Sequence, residues 1–364
     1  MLLTLSASLC LALASPQAGS GDQIVLLDGT VLAVDRVTGE TYSEVTYRKG
    51  SQDAKKASDL VQEVRHSITH RDLSEYKDAQ DAKEEGDFPK AIAAFNAVLK
   101  DTELLENPRF TWARQHALFQ IMRCYASVGN TDQVAAHADR LLKEVPDTFF
   151  YGHALLMKAQ ALQDKGNVAG AEAAYQQLLA DVKVKSLPER WSREAELGVA
   201  ILSRGAAVEK QRKLEGLAEK NKDQFPSVAN RARVEVGNAM VQAEQYKDGK
   251  ARFQTIVDGG QAERETMAAA WSGLGDCAFN LGLREPDVAK LNGLFEEAAL
   301  AYLRVAAYYS ESFRLVPRAL CFAGMSMDRL SKRPDAITIA GKLKRSYPNS
   351  EWKTKLFNEL RLAQ

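Results

Sequence analysis

Trp271-Ser272-Gly273-Leu274-Gly275, followed by Ala298-Ala299-Leu300-Ala301-Tyr302, carries more structural information than any other part of the chain. The first half has the form W-x2-L-G and the second A-x3-aromatic. Residues four apart share a helical face, so Ala298 and Tyr302 offer a small and a bulky side chain to the same neighbour. The small residue recurs as Ala79, Ala159, Gly198, Gly237, Gly275 and Gly324, with the larger Met122 in the second unit, at intervals of 37 to 49 residues. A small side chain there lets a second helix approach closely. The small-then-bulky pair recurs as Ala91/Phe95, Ala171/Tyr175 and Gly249/Phe253. Gly86-Asp87, Gly129-Asn130, Gly166-Asn167 and Gly205 suit helix C-termini, and Pro146 and Pro348 close the second and last units.

Over roughly residues 72–364 these residues resemble the tetratricopeptide-repeat family. The resemblance implies a mainly α protein, a right-handed α-solenoid of about six to seven helix-turn-helix repeats. The match is most specific in the third and sixth units. Lys210 stands where the fourth unit needs a small residue, and Ala340 where the seventh needs an aromatic. The intervals exceed the family's ~34-residue period, implying longer helices or loops, as in the irregular repeat proteins of bacterial cell envelopes. Leu283–Leu294, with Pro286 and Gly293, reads as an insertion between the two helices of the sixth unit.

Lys+Arg and Asp+Glu are both 48, so the formal net charge is zero. No charge excess steers the chain toward nucleic acid or anionic lipid. The length far exceeds what one compact core needs, and a solenoid spreads it into contacts between neighbours.

The amino terminus has a different character. Leu2 to Ala14 is apolar and ends Ala12-Leu13-Ala14, a pattern that resembles a secretory signal peptide over residues 1–18, although no Lys or Arg precedes the run. It is short for a membrane span, and Ala7-Ser8-Leu9 before Cys10 departs from the lipoprotein pattern. Export to the periplasm or cell envelope is the expectation. Residues 22–66 then read as a small β module, loosely resembling Sm- or SH3-like barrels. Strands are expected at 23–27 and 30–34 around a two-residue Asp28-Gly29 turn, and another at 44–48. Residues 60–65 are a further strand or the start of a helix, giving three to five strands in all. A unit this small is marginal alone and is expected to pack on the first repeat.

Candidate chemistry is sparse. Past the leader, Cys124, Cys277 and Cys321 show no C-x-x-C spacing and read as small buried hydrophobes. His66 and His70, four apart, would share a face if helical, but a zinc site needs a third or fourth ligand and the metalloprotease glutamate is missing between them. No nucleophile elbow, phosphate loop or dinucleotide fingerprint is present. Neither catalytic residues, nor a cofactor, nor a metal is expected.

The resemblance implies that the first helix of each repeat lines a concave groove. Carried over position by position, the groove residues are Tyr76, Gln80, His116, Phe119, Arg123, His153 and Gln160, then Arg231, Asn238, Asp276, Phe279 and Asn280, then Arg318, Met325, Asp328 and Arg329. Mostly polar groups suit an extended peptide whose backbone needs hydrogen-bond partners. The strongest candidates for protein binding are Tyr76, Phe119, Arg123, Gln160, Asn238, Asp276, Asn280, Arg318, Asp328 and Arg329. The expected function is therefore a non-catalytic scaffold for a protein or peptide partner. Two rivals are an exported hydrolase or metal-dependent enzyme built on the β module or His66/His70, and a self-associating structural protein using Tyr302, Tyr308, Tyr309 and Phe313.

Overall fold

The computed structural model describes residues 21–310, 312–348 and 350–363; the expected leader lies outside them. Six strands come first: β1 (Asp22–Leu26), β2 (Val31–Val34), β3 (Arg36–Glu40), β4 (Glu44–Lys49), β5 (Gln52–Ala57) and β6 (Val61–Arg65). They form two antiparallel three-stranded sheets, ordered β2-β1-β6 and β3-β4-β5. The β1–β2 connection differs from expectation. Leu26 N–H donates to Thr30 O at 2.8 Å, closing a three-residue loop rather than a two-residue turn. Gly29, at φ +84°, takes the left-handed position that such loops require. Ile24, Val45 and Val61 are fully buried, and with Val34, Val37 and Val64 they join one core with Leu118, Phe119, Leu141, Phe149 and Phe150 of the helices. The module thus packs mainly on the second and third units, not the first.

Seven helix pairs follow: α1 (Ser74–Glu84) with α2 (Phe88–Val98), a short α3 (Thr102–Glu106), α4 (Trp112–Ser127) with α5 (Thr131–Glu144), α6 (Tyr151–Asp164) with α7 (Val168–Val184), and α8 (Glu189–Leu202) with α9 (Ala207–Asn221). Then come α10 (Pro226–Gln242) with α11 (Tyr246–Gly259), α12 (Arg264–Gly282) with α13 (Val288–Tyr308), α14 (Val316–Arg329) with α15 (Arg333–Ser346), and a closing α16 (Glu351–Glu359). Successive helices pack on one another down the array, as in a tetratricopeptide-like α-solenoid. The fourth unit is the loosest: α9 leans on α10 more than on α8, consistent with Lys210 standing in place of a small residue.

The joints follow from residue chemistry. Gly86, Gly129 and Gly166 have φ of +81°, +74° and +78°, and the next residue donates its amide five residues back, as in Asp87 N to Ala82 O at 2.9 Å. The side chain of that next residue then caps the following helix: Asp87 accepts from Lys90 N, Asn130 from Gln133 N and Asn167 from Gly170 N. One Gly-Asx dipeptide so ends one helix and starts the next. Gly205 does not do this; it lies in the longer α8–α9 loop. The same left-handed position is filled by Glu244 (φ +62°) after α10 and by Ser331 (φ +58°) after α14.

The recurrent aromatics of the second helices are all buried: Phe95, Phe253 and Tyr302 at 0% exposure and Tyr175 at 2%. A Cβ on Gly237 would lie 2.6 Å from the Phe253 ring, and one on Gly275 2.7 Å from the Tyr302 ring, each in the second helix of the same unit. Gly198 instead makes room for Tyr175 of the preceding unit, and Gly324 for Leu356 of α16. Leu356 therefore seals the end that Ala340 cannot. Residues 283–294 are not an irregular insertion. Only 283–287 connect the helices, and the remainder adds turns to α13, begun by Asp287 capping Lys290 N. Tyr302, expected on a sticky face, belongs to the core; Tyr308 is exposed.

Candidate functional site

The first helices α1, α4, α6, α8, α10, α12 and α14 present the expected groove positions, but the β module covers part of this surface. On α4, residues 112, 115, 116 and 119 form one stripe. Trp112 stacks on His66 with ring centroids 3.9 Å apart. Gln115 Nε2 donates to Glu40 O at 3.3 Å, while its Oε1 accepts from Thr148 Oγ1 at 2.7 Å and from Phe149 N at 3.1 Å. Tyr42 N donates to Asp147 O at 3.0 Å, and Thr41 forms an antiparallel bridge with Thr148. On α8, Arg190 reaches back to Ser58 O and Val61 O. Two expected binding residues are corrected by their burial. Tyr76 is buried against Phe95 and Trp112, and Phe119 is buried and stacked on Phe150 at 4.1 Å. The sequence could not reveal the cover over Phe119, because strands far upstream supply it, whereas Tyr76 is covered by α2 and α4.

One turn beyond that cover, the groove is cationic. Arg123 is exposed, and neither it nor Lys83 makes a salt bridge among the described residues, although Glu84 and Glu63 lie close enough to Lys83 to favour its charge. Lys83 is partly buried at the end of α1. Burial first, and the Arg123 guanidinium second, push its ammonium down to about 8. Gln160 is half-buried on the adjoining α6. Deeper in, His153 Nδ1, Gln120 Oε1 and Arg190 Nε are shut from solvent and meet no hydrogen-bonding group among the described residues. Burial, with the charges of Arg190 and Arg123, drives His153 down to about 3.

In the later units the structure brings several expected residues together, though with one another. Asp276 accepts from Tyr302 Oη at 2.6 Å and from Arg318 at 2.8 Å. Arg318 also donates to Ser272 Oγ at 2.9 Å and lies over the Phe322 ring. Asn280 donates to the Asp276 carbonyl. Asp328 pairs with Arg333, Arg329 pairs with Glu359, and Arg231 with Glu194. Asn238 is half-buried on α10. Groups already satisfied internally have less to offer a ligand than Arg123 and Lys83.

The densest titratable cluster lies under the cover, and sequence reading missed it. His66 does not pair with His70; neither is helical, and His70 accepts from Asp72 N. His66 instead sets Nδ1 3.3 Å from Asp22 Oδ2 and Nε2 against Glu40 Oε1, while His116 Nε2 lies 2.8 Å from Glu40 Oε2. Asp22 accepts as well from Val37 N at 2.7 Å and Ser67 N at 2.8 Å. Burial alone would discharge these groups. Against it, the two imidazoles hold Glu40 well below the usual carboxylate range, and His66 with the two amides holds Asp22 below its ordinary value. Burial likewise opposes charge on His66, yet Glu40 and Asp22 raise it to about 9. Glu40, His66 and His116 come from β3, from the segment after β6 and from α4, and only tertiary packing unites them. The sequence points to His66 and His116 separately, for different roles, and to Glu40 not at all.

The three cysteines are buried and unpaired, and burial pushes their thiols up to between about 11 and about 12. No helix of the described residues is long and apolar enough to cross a membrane. No family model and no curated protein matches the chain. Among solved structures it is similar to a tetratricopeptide repeat protein from Parabacteroides merdae, at 14% identity over 79% of this chain and 97% of that one, with a TM-score of 0.46. It is also similar to yeast Tom70, at 13% identity over 79% and 68%, with a TM-score of 0.25. The repeat architecture described above rests on the helix pairs, their glycine joints and their buried aromatics.

Proposed function

We propose that the protein is a non-catalytic adaptor of the periplasm or cell envelope that holds an extended acidic segment of a protein partner in its concave groove. The observation that carries this reading is the Lys83–Arg123 pair, two neighbouring cations that make no salt bridge among the described residues and whose mutual repulsion exceeds the attraction of either Glu84 or Glu63 for Lys83. Like charges at a partly desolvated surface raise the free energy of the protein alone. An anionic partner relieves that cost, so the pair favours occupancy. The half-buried Gln160 on α6 suits a peptide backbone.

The experiment is fluorescence anisotropy with labelled acidic, neutral and basic peptides, followed by the partner recovered from native envelope. Arg123→Ala and Lys83→Ala are each expected to weaken binding of the acidic peptide by about 1–3 kcal/mol, while Lys213→Ala on α9, away from this cationic pair, leaves it unchanged. The Lys83 ammonium is charged below about 8 and neutral above it. Wild-type affinity should therefore fall as pH rises through that value, and the Lys83→Ala variant should lose this dependence. Equal affinity for acidic and basic peptides, or normal partner binding by the double variant, would overturn the reading.

A further inference from the structure

We propose that Glu40, His66 and His116 form a site for one divalent transition-metal ion of the zinc type, which staples the β module to the helical array. The inference is independent of how the groove is used. The three ligand atoms lie within 4.8 Å of one another, all on buried side chains. Two imidazoles and a carboxylate are a donor set that zinc accepts, with bonds of ~2.0–2.2 Å and the fourth tetrahedral position left to water or another small ligand. Bonds of this length set tetrahedral ligand atoms about 3.3–3.5 Å apart, so seating an ion opens the two imidazole–carboxylate hydrogen bonds and draws the more distant pair together.

Several features around the three go beyond an accidental cluster. Both candidate nitrogens are Nε2, and both face the same carboxylate. The other ring nitrogen of His66 is engaged by Asp22, the carboxylate–histidine arrangement that orients metal-binding imidazoles. Asp22 is itself fixed by two backbone amides, and Trp112 stacks flat on the His66 ring, at an interplanar angle of 1°. Charge also balances. Two carboxylates carry two negative charges, which one divalent ion matches. The energetics favour such a device, because a unit this small buries too little surface to be more than marginal alone and ion binding adds directly to folding free energy.

The test uses the full-length protein after dialysis against a chelator, titrated with Co2+ and followed by visible absorption. The expected result is saturation at one ion per chain with the ligand-field bands of a four-coordinate site, displaced by one equivalent of Zn2+. Glu40→Gln and His116→Gln should abolish the bands, and Asp22→Asn should weaken Zn2+ binding by about 10–100-fold. His70→Ala should leave the bands intact. Bands that survive His116→Gln but vanish in His70→Ala would overturn the proposal, as would a wild-type protein showing no saturable bands. Should the ligand variants not fold, the wild-type titration decides alone, together with a melting midpoint that must rise with stoichiometric Zn2+.

Discussion

At the scale of single residues, two positions test how the helices meet. Gly275 has the Tyr302 ring 2.7 Å from where a Cβ would be, so Gly275→Leu overpacks the joint and is expected to cost about 1–3 kcal/mol or more. Gly293 is the matched control: it lies inside α13, exposed, with nothing within 4 Å of its would-be Cβ. Gly293→Ala should gain up to about 1 kcal/mol from helix propensity. Equal thermal midpoints for the two variants would show the repeat register to be misplaced. Gly260 would be a poor control, since its φ of +62° strains any side chain. His153 gives a pH prediction. Its ring is held down to about 3 against an ordinary 6.5, so between those values the unfolded chain binds a proton that the folded one refuses. Stability attributable to this residue is complete above about 6.5 and declines as pH falls toward 3. His153→Phe, among Phe119, Phe150 and Trp191, removes both the orphaned Nδ1 and this penalty. Its advantage in melting temperature should widen below pH 6.5, and a constant gap across pH 4–8 would contradict the assignment.

Between elements, Gln115 is the tie with most consequences, joining α4 to the end of β3 and to the α5–α6 connection in one buried side chain. Gln115→Leu leaves the Glu40 carbonyl and the Phe149 amide without partners, for a loss of about 1–3 kcal/mol each at most. Chemical denaturation should show a lowered midpoint, and an unchanged one would mean that the module docks through its apolar core alone. This scale also separates what the sequence reveals from what it hides. The helix pairs were legible because small and bulky residues recur within each unit and pack on near neighbours. β3 and β5 were not. Arg36–Glu40 carries a glycine mid-strand, and Gln52–Ala57, almost wholly exposed, lacks the apolar alternation that marks a half-buried strand. Tyr76 was misjudged because it turns into the packing of its own neighbours, Phe95 and Trp112, and Phe119 because cover by a distant segment leaves no local trace. The Glu40–His66–His116 centre failed for the same reason, its members being 26 to 76 residues apart.

Across the whole molecule, the array curls until Arg314, between α13 and α14, meets Asp164 at the end of α6, 150 residues away. Both side chains are more than a third exposed, so the pair adds at most about 1 kcal/mol and records the curl rather than enforcing it. The β module acts differently. Through Gln115 and His116, Asp147 and Thr148, Tyr151, and Arg190, it touches the second, third and fourth units at once. A solenoid held only by neighbour contacts flexes like a spring along its whole length; one with a splint across three successive coils does not. Compliance is then confined to the later coils, and the early ones behave as a single stiff block. Hydrogen exchange should read this directly, with α4, α6 and α8 opening together and α10 to α16 fraying on their own schedule. Separate opening of α4 and α8 would mean that the splint carries no load. A stiff end and a springy end would let the molecule stay anchored at one station while its other end follows a moving target.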